Sequence, residues 1–343
     1  MNVSIHMKKV PFFEATLGYV FFKNLEIAEL NLFFESLSEL FYSEECSPIA
    51  VLVQGDNRYQ KTWKKTTDRV FDESNWITTW IQSPENDRHL SGYFTVLSDA
   101  NLKSLISDTF NLKVFDTPNT RFCLVGNIQE SERKLSAGEE LKRVGETLAS
   151  SLAFCGLEPR NVVRQSFWMP SYANREWVVN HYNTVMDLNP QPLETVSCYE
   201  TYSQDSDPIL ASAMALHNKA QNIQVQPLNL AIGHSMKGVK LSGFGMEYVM
   251  VNPFQLASSE NNADNCLEEK LVQFSQTLAT LDLDWNHMVR GVVFASGKDG
   301  IKAFKNACKE LKIPLASMNF ISSAFKNKTS QWTLECDFYR SLD

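Results

Sequence analysis

A helix-turn-strand segment is written twice in this chain, and a duplicated unit restricts the fold more than any other feature of the sequence. Glu146-Thr-Leu-Ala149, a turn and Val162-Val-Arg164 are matched by Gln276-Thr-Leu-Ala279, a turn and Met288-Val-Arg290. Thr147 thus aligns with Thr277 and Arg164 with Arg290, the small difference in offset falling in the loop. In the second copy Leu267, Leu271, Phe274, Leu278 and Leu281 fall on one helical stripe, and Leu141, Val144, Leu148 and Leu152 do so in the first. A β-rich run follows each helix, Asn161 to Trp168 and Met288 to Ala295, and then a second helical pattern, Asn174 to Met186 and Gly300 to Leu311.

Strand-like runs flank both copies. Arg121 to Ile128 precedes the first, and Leu193 to Tyr202 follows it after the breakers Asn189-Pro-Gln-Pro192. Gln226 to Ile232 and a Gly-rich turn leading into Phe244 to Val251 precede the second, which closes with Leu315 to Phe320 and Gln331 to Tyr339. The first 115 residues add a helical stretch, Leu25 to Phe41, and strands at Ile49 to Gln54 and Gly92 to Leu97, without a defined role. The expected fold class is α+β, with helices packed on one face of mixed sheets. Two similar halves are expected, residues 1–192 and 193–343, facing each other across a cleft suited to a small ligand.

Composition narrows the function. With 32 basic against 40 acidic residues the formal net charge is -8, so there is no overall attraction to nucleic acid or anionic lipid. Lys61, Lys64 and Lys65 beside Trp63 read as a solvated charged loop. The seven cysteines never fall as Cys-x-x-Cys, which favours reduced thiols in a cytoplasm, most of them small buried apolar residues. The amino-terminal run does not read as a secretory signal, and no apolar run is long enough to span a membrane. The 14 glycines form no phosphate-binding motif, and the six histidines are scattered. No organic cofactor and no metal are therefore expected.

The run Phe122-Cys-Leu-Val-Gly-Asn-Ile128, the helix, Leu152 to Gly156 and Asn161-Val-Val-Arg164 resemble a unit of the YjgF/Rid superfamily. Two such units in one chain resemble the chorismatases, which hydrolyse chorismate to pyruvate and a cyclic product. Val163-Arg164 before an aromatic run is similar to that family's V-V-R-T-W, and Asn252-Pro-Phe-Gln255 to its E-N-P-R-Q. Leu334-Glu335 is placed like the terminal V-E-I-E strand, whose glutamate is the family's proposed proton donor. The resemblance covers about residues 118 to 340. It departs at Thr329, Phe254 and Asn183, where the family pattern has arginine. Chorismate carries two carboxylates, for which arginine is the usual partner, so these positions bear on the substrate more than on the fold.

The resemblance implies a small carboxylated cyclic or aromatic substrate and no cofactor, in a chain that is a monomer or a pseudo-oligomer by internal repeat. It implies Glu335 as general acid, protonating the vinyl carbon of an enol ether, with Asn252, Gln255 and an arginine positioning the ring. Period-2 alternation places Thr333, Glu335 and Asp337 on one face, which equally describes a solvated strand face. Asn252-Pro is also an ordinary turn starter. Arg164 and Arg290, at equivalent repeat positions, either supply charge to a cleft or serve packing. Arg175 opens a helix, where a cation needs some other partner. The rival reading, from the lost arginines, is a repurposed Rid-like protein that binds a small aromatic acid or a protein partner. An imine deaminase of the wider superfamily is a third.

Overall fold

In a computed structural model the chain is described over residues 3–72, 75–83, 88–128, 136–169, 178, 196–200, 209–232, 234–257, 263–323 and 330–342. The first sheet uses β1 (Ser4–Phe12), β2 (Ala15–Glu26), β3 (Ser47–Gly55), β4 (Ile77–Gln82) and β5 (His89–Ser98), ordered β1-β2-β5-β3-β4. Helix α1 (Leu30–Ser43) links β2 to β3, and α2 (Gln60–Val70) links β3 to β4. The second sheet has β6 (Asn101–Ile106), β7 (Asn111–Asp116), β8 (Thr120–Ile128), β9 (Val162–Met169), β10 (Val196–Glu200) and β11 (Leu210–Asn218). Helix α3 (Ala137–Phe154) joins β8 to β9.

The third sheet contains β12 (Gln224–Ile232), β13 (His234–Gly243), β14 (Met246–Ala257), β15 (Met288–Ser296), β16 (Met318–Ser323) and β17 (Ser330–Ser341). Helices α4 (Ala263–Thr280) and α5 (Gly297–Glu310) belong to it. Its order is β12-β13-β14-β17-β15-β16, and that of the second sheet is β6-β7-β8-β11-β9-β10. The first sheet has the same order without the outermost strand. The duplicated unit is therefore present, and residues 4–98 form a further copy beside it. Strands β10 and β11 pair inside the second sheet, so a division at residue 192 would separate them from their hydrogen-bonded partners.

A repeated helix stop makes the kinship of the units local. After α3, Gly156 (φ 69°) lets Leu157 N–H reach the Leu152 carbonyl and Gly156 N–H the Ala153 carbonyl. Asp282 (φ 53°) does this after α4, and Glu45 (φ 50°) after α1, with the same pair of bonds. Each stop is followed by a buried residue, Cys46, Leu157 or Leu283, packed under its helix.

Helices cover the outer face of each sheet. Phe33, Phe34, Leu37 and Trp63 pack on the first sheet, Leu141, Val144 and Leu148 on the second, and Leu271, Phe274 and Phe304 on the third. The inner faces meet in one shared core that includes Tyr19, Phe122, Trp168, Tyr248 and Phe294. Edge strand β4 packs against β8, β10 against β14, and β16 against β2 and β5. Each sheet thus presents its parallel edge to the third or second strand of the next, a head-to-tail contact that closes after three copies.

Several elements differ from the sequence expectation. Lys61, Lys64 and Lys65 are exposed, but they stand on helix α2, anchored by Trp63 at 2% exposure, and not on a loop. The Gly-rich turn is strand β13, and the reversal into β14 is confined to Phe244 and Gly245, both with positive φ as a two-residue hairpin requires. Strand β14 continues past Val251 to Ala257 because Pro253 falls in a register break, where no ladder donor is needed. The helical pattern Asn174 to Met186 lies outside the described residues apart from residue 178. No described helix is long and apolar enough to cross a membrane.

Candidate active site

The bulges of the three sheets give a common register. In each unit the strand that follows the first helix, β3, β9 or β15, breaks register at its second or third residue, at Ile49, Val163 and Val289. Counting from that break, Ala50, Arg164 and Arg290 are equivalent and stand opposite Thr95, Met214 and Asp337. Two residues on, Leu52, Ser166 and Val292 stand opposite Tyr93, Ser212 and Glu335. Except for Asp337, all of these side chains line one cavity of about 150 Å³ where the three inner faces converge. The expected cleft between two halves is thus a chamber walled by three units. The first unit contributes Ala50 and Thr95, small residues where the others carry arginine, methionine or aspartate.

The charged groups gather on the third unit's side. Arg164 donates from Nη1 to Asp337 Oδ2 at 3.0 Å and from Nη2 to Oδ1 at 2.5 Å. Arg290 donates from Nε to Asp337 Oδ2 at 2.7 Å, from Nη1 to Tyr93 Oη at 2.8 Å, and from Nη2 to Glu335 Oε1. Arg164 Nη1 also lies 3.6 Å from Glu335 Oε1. The Tyr19 and Tyr248 hydroxyls are 2.8 Å apart, each 3.4 Å from Asp337 Oδ2. Asp337 therefore ties together strands of all three sheets.

Burial separates the two carboxyls. Burial opposes ionisation of Asp337, but the Arg164 and Arg290 guanidiniums hold it well below the usual carboxylate range. Glu335, 2% exposed, is pushed up by burial to about 7; Arg164 pulls it down, and the Asp337 charge adds to the rise. Two carboxyls whose surroundings drive their pKa values apart have the form of an acid and its fixed electrostatic partner. Among the described residues Glu335 Oε2, Arg164 Nε and Trp168 Nε1 are buried without a hydrogen-bond partner. Trp168 and Tyr199, stacked with centroids 4.3 Å apart, give the chamber an aromatic wall, and Phe294 stacks on Tyr199 at 4.7 Å.

Of the residues singled out in sequence, Glu335, Arg164 and Arg290 come together here. Asn252 is buried on β14 at the register break and does not line the chamber. Gln255 pairs through its backbone with Thr333, but its side chain lies outside the described residues, as does Arg175. Thr329 and Asn183 also lie outside them. Asp337, Tyr93, Tyr19 and Trp168 were not singled out. The signal for Asp337 was in the sequence, since it shares the face of Glu335 two residues away. The two tyrosines come from a unit whose repeat character no motif announces.

No family model matches the sequence, and no curated protein matches it in sequence. Among solved structures, a chorismatase superimposes with a TM-score of 0.57 at 8% identity, covering 98% of this chain and 98% of that one. A putative translation initiation inhibitor from Salmonella typhimurium covers 34% of this chain and 98% of its own, with 8% identity and a TM-score of 0.26. A member of the YjgF/YER057c/UK114 family from Mycobacterium tuberculosis covers 34% of this chain and 100% of its own, with 10% identity and a TM-score of 0.26. The resemblance to chorismatases seen in the sequence holds for the fold, and at this identity the likeness is one of architecture alone. The chain has the chorismatase fold.

Proposed function

We propose that the chain is a chorismatase-like hydrolase that cleaves an enol ether on a small carboxylated ring, with Glu335 as general acid. The observation that carries this reading is the state of Glu335, buried at the wall of the chamber with one oxygen unpartnered and a carboxyl pushed up to about 7. A carboxylic acid that keeps its proton near neutral pH can deliver it to the vinyl methylene carbon. The methylene becomes a methyl group, and positive charge develops on the adjacent carbon and the ether oxygen. Water adds to that carbon and its proton returns to the Glu335 carboxylate. The hemiketal then collapses to pyruvate and the ring alcohol. Asp337, ionised and fixed between Arg164 and Arg290, balances charge while Glu335 cycles. Incubating the protein with chorismate and following pyruvate release tests this, and sustained release above the uncatalysed rate is expected.

Two observations favour a second reading, a repurposed binder of a small aromatic acid. Both guanidiniums are already engaged by Asp337, and the chamber holds about 150 Å³. An engineered cavity of about 150 Å³ is known to take one benzene ring. Measurable binding of a simple ring acid with no pyruvate from chorismate would select this reading over hydrolysis.

A further inference from the structure

The register of the three sheets singles out a residue on the unit least legible in sequence. Tyr93 on β5 occupies the position that Glu335 holds on β17 and Ser212 on β11, and it is 7% exposed at the wall of the chamber. Its oxygen accepts from Arg290 Nη1 at 2.8 Å, and that is its only hydrogen bond among the described residues. A phenol has one hydrogen to donate besides its lone pairs, so the Tyr93 hydrogen has no acceptor there. The other terminal nitrogen of the same guanidinium donates to Glu335 Oε1. One planar cation thus holds the tyrosine oxygen and the glutamate oxygen side by side.

We propose that Tyr93 is a substrate-binding residue, donating its phenolic hydrogen to a carboxylate oxygen of a ring-bearing ligand that lies beside Glu335. This rests on the reading of the chamber as the substrate site. A guanidinium bonded to the phenol oxygen polarises its O–H bond and makes it a stronger donor. Burial raises the phenol's pKa, so the hydrogen stays in place at neutral pH. The charges around it are Arg290 and Arg164, which attract the ligand anion, and Asp337 and Glu335, of which only Asp337 is held firmly ionised. Ala50 and Thr95, beside Tyr93 on the same sheet, leave space where the other units carry larger groups. The ring then lies toward Trp168 and Tyr199, and its carboxylate toward Tyr93. The predicted ligand class is a single-ring carboxylic acid whose anionic group is recognised by a unit outside the residues that resemble the Rid pattern.

The test uses benzoate and the neutral ring toluene as probes, with binding to the full chain measured by calorimetry or ligand-observed NMR at pH 6. Tyr93→Phe keeps the ring and its packing, and it is expected to weaken benzoate by about tenfold, the loss of one hydrogen bond to a charged group. Toluene should be unaffected. Ala50→Leu, which narrows the chamber without touching the charged cluster, should abolish both. Equal loss of benzoate and toluene in Tyr93→Phe would show a packing role only and overturn the assignment. So would unchanged benzoate affinity, or no benzoate binding to the unaltered chain. None of these readouts depends on turnover, so absence of pyruvate release would defeat the hydrolase reading while leaving the role of Tyr93 to be decided by binding.

Discussion

Replacing Asp337 by asparagine is expected to lower the unfolding free energy by about 3–5 kcal/mol, the cost of breaking a buried ion pair from one side. Asparagine fills the same volume but leaves Arg164 and Arg290 without the carboxylate that both engage. Because those arginines lie on different sheets, and Tyr19 and Tyr248 also reach Asp337, the loss falls on the junction of all three units. Denaturant midpoints for the two proteins measure it. By contrast, removing Lys64 from its exposed 3.9 Å pair with Asp68 should change stability by no more than about 0.5 kcal/mol. An equally small effect for Asp337→Asn would mean that the cluster is solvated and that the units do not meet there.

The same cluster sets the sign of the pH dependence. The folded-state pKa of Asp337 is depressed, so its contribution is present above the ordinary value of 3.8 and is lost as the pH falls through the acid range. That of Glu335 is raised, so its contribution is full below the ordinary value of 4.5 and is lost as the pH rises through about 7. The cluster is therefore most stabilising near the two carboxyls' ordinary values, 3.8 and 4.5, and weakens from there both toward acid and toward neutrality. Asp337→Asn should remove the acid limb of a melting-temperature profile and, because the Asp337 charge adds to the rise of Glu335, move the neutral limb to lower pH.

The second large effect is on chemistry. Glu335→Gln is expected to reduce pyruvate release from chorismate by at least about 100-fold, the lower range for removing a general acid. Gln keeps the shape of the protonated carboxyl and still offers an oxygen to Arg290. The melting temperature at pH 6 should accordingly stay within a few degrees of the unaltered protein. Retention of full activity would remove Glu335 from the reaction. Loss of activity together with unfolding would make it a structural residue.

Much of this site was readable in the residues, and the gaps have identifiable causes. The stripes of α3 and α4 and the paired Val-Val-Arg and Met-Val-Arg strands led to Arg164 and Arg290 because local period and repeat reinforced each other. The first unit escaped because its helix stop is Glu45 in a left-handed conformation, where the second unit has the recognisable Gly156. Its β2 is also buried over most of its length, which erases the alternation by which a strand is read. Strand β17 misleads in the opposite sense. Glu335 and Asp337 alternate with Leu334, Cys336 and Phe338 as if facing water, yet both carboxyls are buried on the opposite side of the strand, and their ionic partners, Arg164 and Arg290, come from strands far away in sequence. Asn252 attracted attention through its likeness to the family's E-N-P-R-Q, whereas it lies buried at a strand irregularity that tolerates Pro253 and does not line the chamber.

The proposed chemistry requires the Glu335 carboxylic acid to keep its proton near neutrality inside a chamber built by three units. It is tested most directly by infrared titration of protein carrying 13C-labelled glutamate side chains, taken as the difference between the unaltered chain and Glu335→Gln. One protonated carboxyl is expected in the difference spectrum at pH 6, ionising with a midpoint of about 7. A Glu335 signal already ionised at pH 5, titrating at or below its ordinary value of 4.5, would contradict it.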